Sequence, residues 1–158
     1  MEKKDVRITE YWNRFLATLP TDSSYHRRGY QAEKWGDSRE MADDLGGLIA
    51  AGIKTAACSS VWEWEAEGRP VPEIGSITIV LDWGGDPLCI METMEVEIKA
   101  YRQVDARFAF DEGEGDRSLK YWREAHWRFF SRALAAIGKQ PAEDMALVCE
   151  RFRVIYKE

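Results

Sequence analysis

The spacing of hydrophobic residues along the chain predicts three helices. Residues 6–19 place apolar side chains every three or four positions. A capping-box pattern at residues 37–40 opens a second amphipathic stretch, which ends at Gly52. The third and best-defined stretch, residues 117–137, repeats apolar side chains at helical spacing over its whole length.

Alternating or continuous apolar runs predict the strands. The runs cover residues 54–64, 76–82, 87–104 and 146–156, and polar loops are expected at 21–36 and 65–75. The order is helix, helix, strands, helix, strand. This order predicts an α+β fold in which helices pack against a mostly antiparallel sheet that curls into a small barrel.

Length and charge indicate the number of domains and limit the kinds of ligand that we expect. The chain has 158 residues, which fits one compact domain, and its formal net charge is −6. Proteins that follow a nucleic-acid duplex by its phosphates are usually basic. A broad duplex-binding surface is therefore not expected, whereas a local basic patch or a small anionic or nucleoside ligand fits.

Cysteine usage and hydropathy predict a cytoplasmic protein that does not associate with membranes. Cys58, Cys89 and Cys149 each fall in a strand-like run and form no disulfide framework, so we expect buried thiols in a reducing compartment. The N-terminal residues contain no apolar signal-peptide core, and no stretch approaches the roughly 18 apolar residues of a membrane span.

Lys54 stands between the second helix and the first strand, among small residues. As a charged side chain it would bind an anion, and if partly buried it could act as a base or nucleophile. The alternative is a surface lysine that the dipole of the preceding helix favours.

The segment DEGEGD, residues 111–116, places four carboxylates around two glycines before the third helix. The simpler interpretation is that acids favour a helix N-terminus and glycines make the turn. A carboxylate that accepts from a ligand or acts as general acid or base is the alternative. The spacing is not that of a calcium loop, and we expect neither a metal nor a cofactor.

The polar face of the third helix is basic, although the protein is acidic. It carries five cationic residues against Glu124, with Trp127 among them. Interleaved basic and aromatic groups can hold single-stranded nucleic acid, and a solvated face is the alternative. His126 lies on the apolar face, as a core histidine or a ligand contact. The cationic residues are Arg117, Lys120, Arg123, Arg128 and Arg132.

Several of these stretches together resemble bacterial ASCH-domain proteins. The likeness rests on ADDLGGLIAAGIKTA, on FAFDEGEGDRSLKYWREAHWRFF and on LVCERFRVIY, and it covers about residues 35–157. It implies a PUA-like fold, a small β-barrel with flanking helices and a cleft beside the GxK motif. We therefore expect residues 1–158 to form one ASCH domain, with residues 1–34 as an N-terminal helix and loop extension.

The resemblance also implies which residues are functional. The lysine of GxK is Lys54, and the later glutamate of the family matches Glu112. Some relatives are amidohydrolases that act on N4-acylated cytidine and carry a threonine where this chain has Ala57. An arginine that some members carry is replaced by Ser59. Nucleophilic chemistry through position 57 is thus excluded here.

The leading hypothesis is an RNA- or nucleotide-binding domain with its ligand beside Lys54. Metal-independent ribonuclease activity is kept open, as are deacylation of N4-acylated cytidine and a non-enzymatic protein-interaction role. Lys54 and Glu112 are the expected catalytic pair. The expected ligand contacts are Thr55, Ser59, Glu114, Arg117, Trp122, Arg123, His126 and Trp35, where either tryptophan would stack on a base and the arginines would hold the backbone.

Overall fold

The computed structural model describes residues 5–158 and has an α+β architecture, as predicted. Residues 1–4, the beginning of the expected N-terminal extension, lie outside the described residues. The helices and strands, in chain order, are α1 Val6–Ala17, β1 Gln31–Lys34, α2 Arg39–Ala50, β2 Ala56–Ser60, α3 Val61–Glu67, β3 Ile77–Leu81, β4 Pro87–Ala100, α4 Ala106–Glu112, α5 Leu119–Ala135 and β5 Ala146–Tyr156.

The residues separate into two compact units. The first unit comprises residues 5–51, 76–92 and 154–158, and the second comprises 52–75 and 93–153. The prediction of a single domain over residues 1–158 stays a prediction. Among residues 5–158, no helix combines the length and the apolar character that a membrane crossing needs.

The first unit is built around α1, β1, β3 and the first residues of β4. β3 pairs with β1 in parallel and with β4 in antiparallel orientation. Tyr11, Trp12 and Phe15 of α1 are buried in one cluster with apolar residues of β3 and with Ile90 of β4. The sheet is therefore mixed, because the β1–β3 pair departs from the antiparallel pairing that was expected for most of it.

The second unit is built around α5. β2 and β5 pair in antiparallel orientation, and Trp122, Phe130 and Leu134 of α5 lie in a core with Ala56 of β2 and Leu147 of β5. Burying apolar side chains of this size stabilises a fold by roughly 1.5–3 kcal/mol each. This core fixes the positions of β2, α4 and α5, from which the functional candidates project.

Two local predictions were wrong, and one helix was not predicted. The strand predicted to continue to residue 64 ends at Ser60, whose hydroxyl accepts from Trp62 N and starts α3. The loop predicted over 21–36 contains β1, a polar strand that pairing with β3 defines instead of an apolar pattern. Residues 106–112 form α4, because Asp105 caps its first turn by accepting from Phe108 N.

Candidate functional site

Lys54 is a buried cation. α2 ends at Ala50 and is capped by Ala51, and Gly52 follows with a φ of 75°, a left-handed conformation that suits glycine. The chain then turns so that the Lys54 side chain, 2% exposed, enters the second unit. A surface lysine at the end of a helix, the simpler interpretation of the sequence, is therefore wrong.

Two carboxylates of the DEGEGD segment meet Lys54. Its Nζ lies 2.8 Å from Glu112 Oε1, 2.9 Å from Glu114 Oε2 and 3.4 Å from the carbonyl oxygen of Glu112. The three N–H donors of the ammonium group thus each have an acceptor. Glu112 is buried with Lys54, whereas the Glu114 side chain is 23% exposed.

Two glycines shape the loop that brings these carboxylates to Lys54. Gly113 ends α4 with a φ of 71°, and Gly115 has a φ of 58°. A Cβ on Gly113 would lie 2.7 Å from the carbonyl oxygen of Ile53, so this close approach of two backbones requires glycine. The glycines of DEGEGD therefore set the position of Glu114.

The other two acids of the DEGEGD segment make separate contacts. Asp111 pairs with Arg107 and Arg151, and Asp116 accepts from the backbone N–H of Ser118 at the start of α5. Only the latter matches the expected role of acids at a helix N-terminus.

The second oxygen of Glu112 accepts from three further side chains. Oε2 accepts a very short hydrogen bond from Trp122 Nε1, lies 3.2 Å from His126 Nε2 and accepts from Cys58 Sγ at 3.6 Å. We call Lys54, Glu112, Glu114, Cys58, Trp122 and His126 the Lys54 network. It joins residues from the GIKTA junction, α4 and its loop, β2 and α5.

His126 faces acceptors with both ring nitrogens. Nδ1 lies 2.9 Å from the carbonyl oxygen of Trp122, and Nε2 faces the Glu112 carboxylate. Only the doubly protonated ring can donate to both. The ring also stacks on Trp122, with centroids 4.3 Å apart. This geometry favours the imidazolium form of His126, in which the network holds two cations and two carboxylates.

The pKa values in the network follow from this arrangement. Burial opposes each charge, but attraction to Glu112 and Glu114 outweighs it and raises the pKa of Lys54. Burial alone would raise the pKa of Glu112, but the positive charges of Lys54 and then His126 outweigh burial and lower it. The pKa of His126 is raised because Glu112 overcomes the effect of burial. Burial, followed by the charge of Glu112, raises the pKa of Cys58 well above its ordinary value.

The same residues include a set of atoms that a metal ion could use. Ligand atoms of Cys58, Glu112 and His126 all lie within 4.8 Å of one another. Each ring nitrogen of His126 already faces an acceptor, and the raised pKa of Cys58 keeps its thiol protonated. A metal would have to displace both protons and compete with Lys54, so an ion-pair network describes the group better.

Position 57, where relatives carry a threonine, has no hydroxyl to contribute. Ala57 is almost completely buried in β2. The neighbouring hydroxyls are engaged elsewhere, since Thr55 Oγ1 donates to the carbonyl of Asp111 at 3.3 Å and Ser59 Oγ accepts from Trp64 Nε1 at 2.7 Å. The side chain of β2 that reaches the network is Cys58.

The remaining predicted contacts are spread over the protein. The guanidinium of Arg117 lies 3.7 Å from the centroid of the exposed Phe110 ring, and its Nε donates to the Phe110 carbonyl. Arg123 lines a surface groove on α5. Trp122 is 2% exposed, so it contributes a hydrogen-bond donor to the core and presents no ring face to solvent. Trp35 belongs to the first unit.

Sequence reasoning missed Cys58 as a member of the site. A strand alternates its side chains, so positions 54, 56 and 58 share one side. This alternation, counted from Lys54, was the feature of the sequence from which Cys58 could have been predicted.

The chain belongs to the ASCH domain family, whose sequence profile matches residues 31–156. It is similar to the crystal structure of an ASCH domain from Lactobacillus crispatus JV V101, with 33% identity and a TM-score of 0.91 over 99% of this chain and 98% of that one. It is also similar to protein EF3133 from Enterococcus faecalis V583, with 36% identity and a TM-score of 0.82 over 94% of this chain and 88% of that one. A search of curated proteins returns no significant match. The PUA-like α+β fold is thereby confirmed.

Proposed function

We propose that this ASCH domain binds single-stranded RNA or a nucleotide at the Lys54 network, and that binding without turnover is its activity. The observation that carries this proposal is the buried Lys54 ammonium, held between two carboxylates of which Glu114 alone is appreciably exposed. Buried charges are costly, and residues with perturbed pKa values cluster at functional sites.

Glu114 is the group through which a ligand would engage this network. Its carboxylate can accept a hydrogen bond from the amino or imino edge of a base. The longest contact of Lys54, 3.4 Å to the Glu112 carbonyl, is the one that a base carbonyl could replace. A phosphate would instead have to displace Glu114 from Lys54. In both cases Glu112 orients Lys54 and does not touch the ligand.

The perturbed pKa values favour binding over catalysis. A general acid or base works best when its pKa lies near the working pH. The pKa of Lys54 is raised and that of Glu112 is lowered, so neither side chain exchanges protons readily at neutral pH. Ala57 stands in place of threonine, Thr55 and Ser59 are engaged elsewhere, and the raised pKa of Cys58 keeps its thiol protonated, so none of these side chains is an activated nucleophile.

Hydrolysis of RNA or of an N4-acylated cytidine remains the second candidate. The observation in its favour is His126, an imidazole with 12% exposure whose pKa is raised, after the opposing effect of burial, by the Glu112 carboxylate beside it. It would be the proton donor of such a reaction, with water or a ribose 2′-hydroxyl as the nucleophile.

The test compares Glu114→Gln with Asp116→Asn in EDTA. Both changes remove one acid from the same loop, but Asp116 makes no contact with Lys54. Fluorescence anisotropy with a labelled single-stranded RNA, and calorimetry with nucleotides, would measure affinity. We expect wild type and Asp116→Asn to bind alike, and Glu114→Gln to change the dissociation constant at least about fivefold, because a contact to a charged group is altered.

The same samples would be analysed by mass for products from RNA and from N4-acetylcytidine. Product formed by wild type would replace the binding proposal with the hydrolase. Absence of binding to every RNA and nucleotide would overturn both and would leave the protein-interaction role.

A further inference from the structure

A groove on the surface of the second unit lies outside the Lys54 network. It has a volume of about 450 Å³, within the range of small-ligand sites. Side chains of α5, of the turn at residues 101–103 and of the loop before β5 line it. They are Tyr101, Arg102, Arg123, Glu124, Trp127, Arg128 and Glu143. We call it the Trp127 groove.

An aromatic ring is held in place within the groove. Trp127 is 36% exposed, and Tyr101 contacts it edge-on with centroids 5.3 Å apart. Tyr101 is itself fixed, because its hydroxyl donates to the Arg123 carbonyl at 2.7 Å and its backbone N–H donates to the Met145 carbonyl at 2.9 Å. The indole therefore offers a pre-oriented stacking surface, which lowers the entropy cost of binding.

Within the part of the chain that the structure describes, the three arginines of the groove are not in ion pairs. Among residues 5–158, no carboxylate lies within ion-pair distance of Arg102, Arg123 or Arg128. Some other arginines contact acids closely, as Arg14 does at 2.6 Å and Arg151 at 2.5 Å.

Open guanidinium groups beside an exposed indole suit a ligand that combines an anion with a planar ring. Guanidinium binds phosphate by two parallel hydrogen bonds, and a base stacks on an aromatic side chain. Glu124 and Glu143 add acceptors for a ribose hydroxyl or an exocyclic amine. The volume fits about one nucleotide unit.

We propose that the Trp127 groove is a second RNA-binding site, which holds one nucleotide of a single strand by stacking on Trp127 and by phosphate contacts from its arginines. This inference rests on the proposed function only in taking RNA as the ligand. Its residues are different from those of the Lys54 network, so the two sites can be tested separately.

The experiment measures binding of a fluorescein-labelled ten-nucleotide single-stranded RNA to the full chain by anisotropy at several salt concentrations. Trp127→Ala should weaken binding at least about fivefold, and Trp127→Phe should keep most of the affinity, because a ring remains to stack. Arg128→Gln should weaken binding about threefold or more and reduce the slope of log affinity against log salt by about 0.7.

Lys120→Gln is the matched control, because it removes one cation from the same helix outside the groove. It should change the dissociation constant less than about twofold, so that an effect of Arg128→Gln cannot be assigned to net charge. Circular dichroism and thermal unfolding confirm that each variant is folded.

The outcomes separate the two proposals. If Glu114→Gln alters RNA binding and the Trp127 and Arg128 variants leave it unchanged, the proposal of a site in the Trp127 groove is overturned and the proposed function stands. Loss of binding in the groove variants with no effect of Glu114→Gln would support the groove and overturn the Lys54 site. Absence of RNA binding in wild type would overturn the groove, and the Lys54 site would be overturned as well if calorimetry detected no nucleotide binding.

Discussion

Each compact unit contains a cation between two carboxylates, and the two arrangements have nearly the same geometry. Lys54 Nζ in the second unit lies 2.8 and 2.9 Å from its two carboxylates. The guanidinium of Arg7 in the first unit lies 2.8 Å from both Asp5 and Asp86. The difference is exposure, which is 2% for the Lys54 side chain and 49% for that of Arg7.

This difference teaches that distance alone does not give the energy of an ion pair. The attraction between two charges is about four times stronger at an effective dielectric constant of 20 than in water. Water also stabilises whatever charge is left when an exposed partner is removed, whereas a buried charge keeps its full desolvation cost.

Lys54→Met should destabilise the protein by about 3–5 kcal/mol, because it removes the closer of the two cations beside the buried Glu112 carboxylate. Urea unfolding followed by circular dichroism measures this loss. The double variant Lys54→Met/Glu112→Gln should recover part of it, since the glutamine side chain carries no charge to leave unpaired. A loss under about 1 kcal/mol for the single variant would mean that the buried cluster behaves like the exposed one.

Trp122→Phe should cost about 1–3 kcal/mol, because it removes the indole donor from the buried Glu112 Oε2. Trp127→Phe on the same helix is the control, and its half-exposed ring should change the free energy of unfolding by less than about 0.5 kcal/mol. Equal losses in the two variants would assign the effect to ring size and not to the hydrogen bond.

His126 should make stability depend on pH. Its folded pKa lies above the ordinary 6.5, so its contribution is complete below pH 6.5 and is lost as the pH rises through the folded pKa. Glu112 has a folded pKa below the ordinary 4.5, so its contribution is complete above pH 4.5 and is lost as the pH falls through its folded pKa. Together these two groups stabilise the protein most between about pH 4.5 and 6.5.

Urea unfolding of His126→Gln between pH 5.5 and 9 measures the histidine part. The decline in unfolding free energy above pH 6.5 should be smaller than in wild type. His26→Gln, at the other histidine of the chain, should decline as wild type does. An unchanged slope in His126→Gln would contradict the assignment of a core imidazolium.

Arg7→Gln should have the smallest effect. The variant keeps Asp5 as the cap of α1, and water replaces the guanidinium. We expect the melting temperature to fall by less than about 3 °C at low salt and the difference to vanish in 1 M NaCl, where charges are screened within about 3 Å. A loss that persists in 1 M salt would show that exposure does not distinguish the two clusters.

The sequence predicted the central contact of the site but not its surroundings. Helical spacing located α1 and α5, and the resemblance to ASCH proteins brought Lys54 and Glu112 together. The part played by Cys58, and the donation from Trp122 to Glu112, depend on how β2 and α5 pack against α4. Spacing along one element carries no information about another element, so these contacts required the tertiary structure.

The missed elements have a local cause. α3 and α4 have seven residues each, too short for an apolar period to be distinguished from a strand or a turn. Their caps at Ser60 and Asp105 were present in the sequence, but a serine or aspartate before a short apolar run is common.

The balance of two cations and two carboxylates in the Lys54 network also has an evolutionary consequence. Its charges come from three separate stretches of chain, so one substitution cannot remove a charge without leaving its partner buried and unmatched. A related protein in which uncharged residues replace this network must have evolved through a less stable variant or by two simultaneous substitutions. We therefore expect Lys54, Glu112 and His126 to be inherited as one block, and to be lost as one block in lineages that abandon the site.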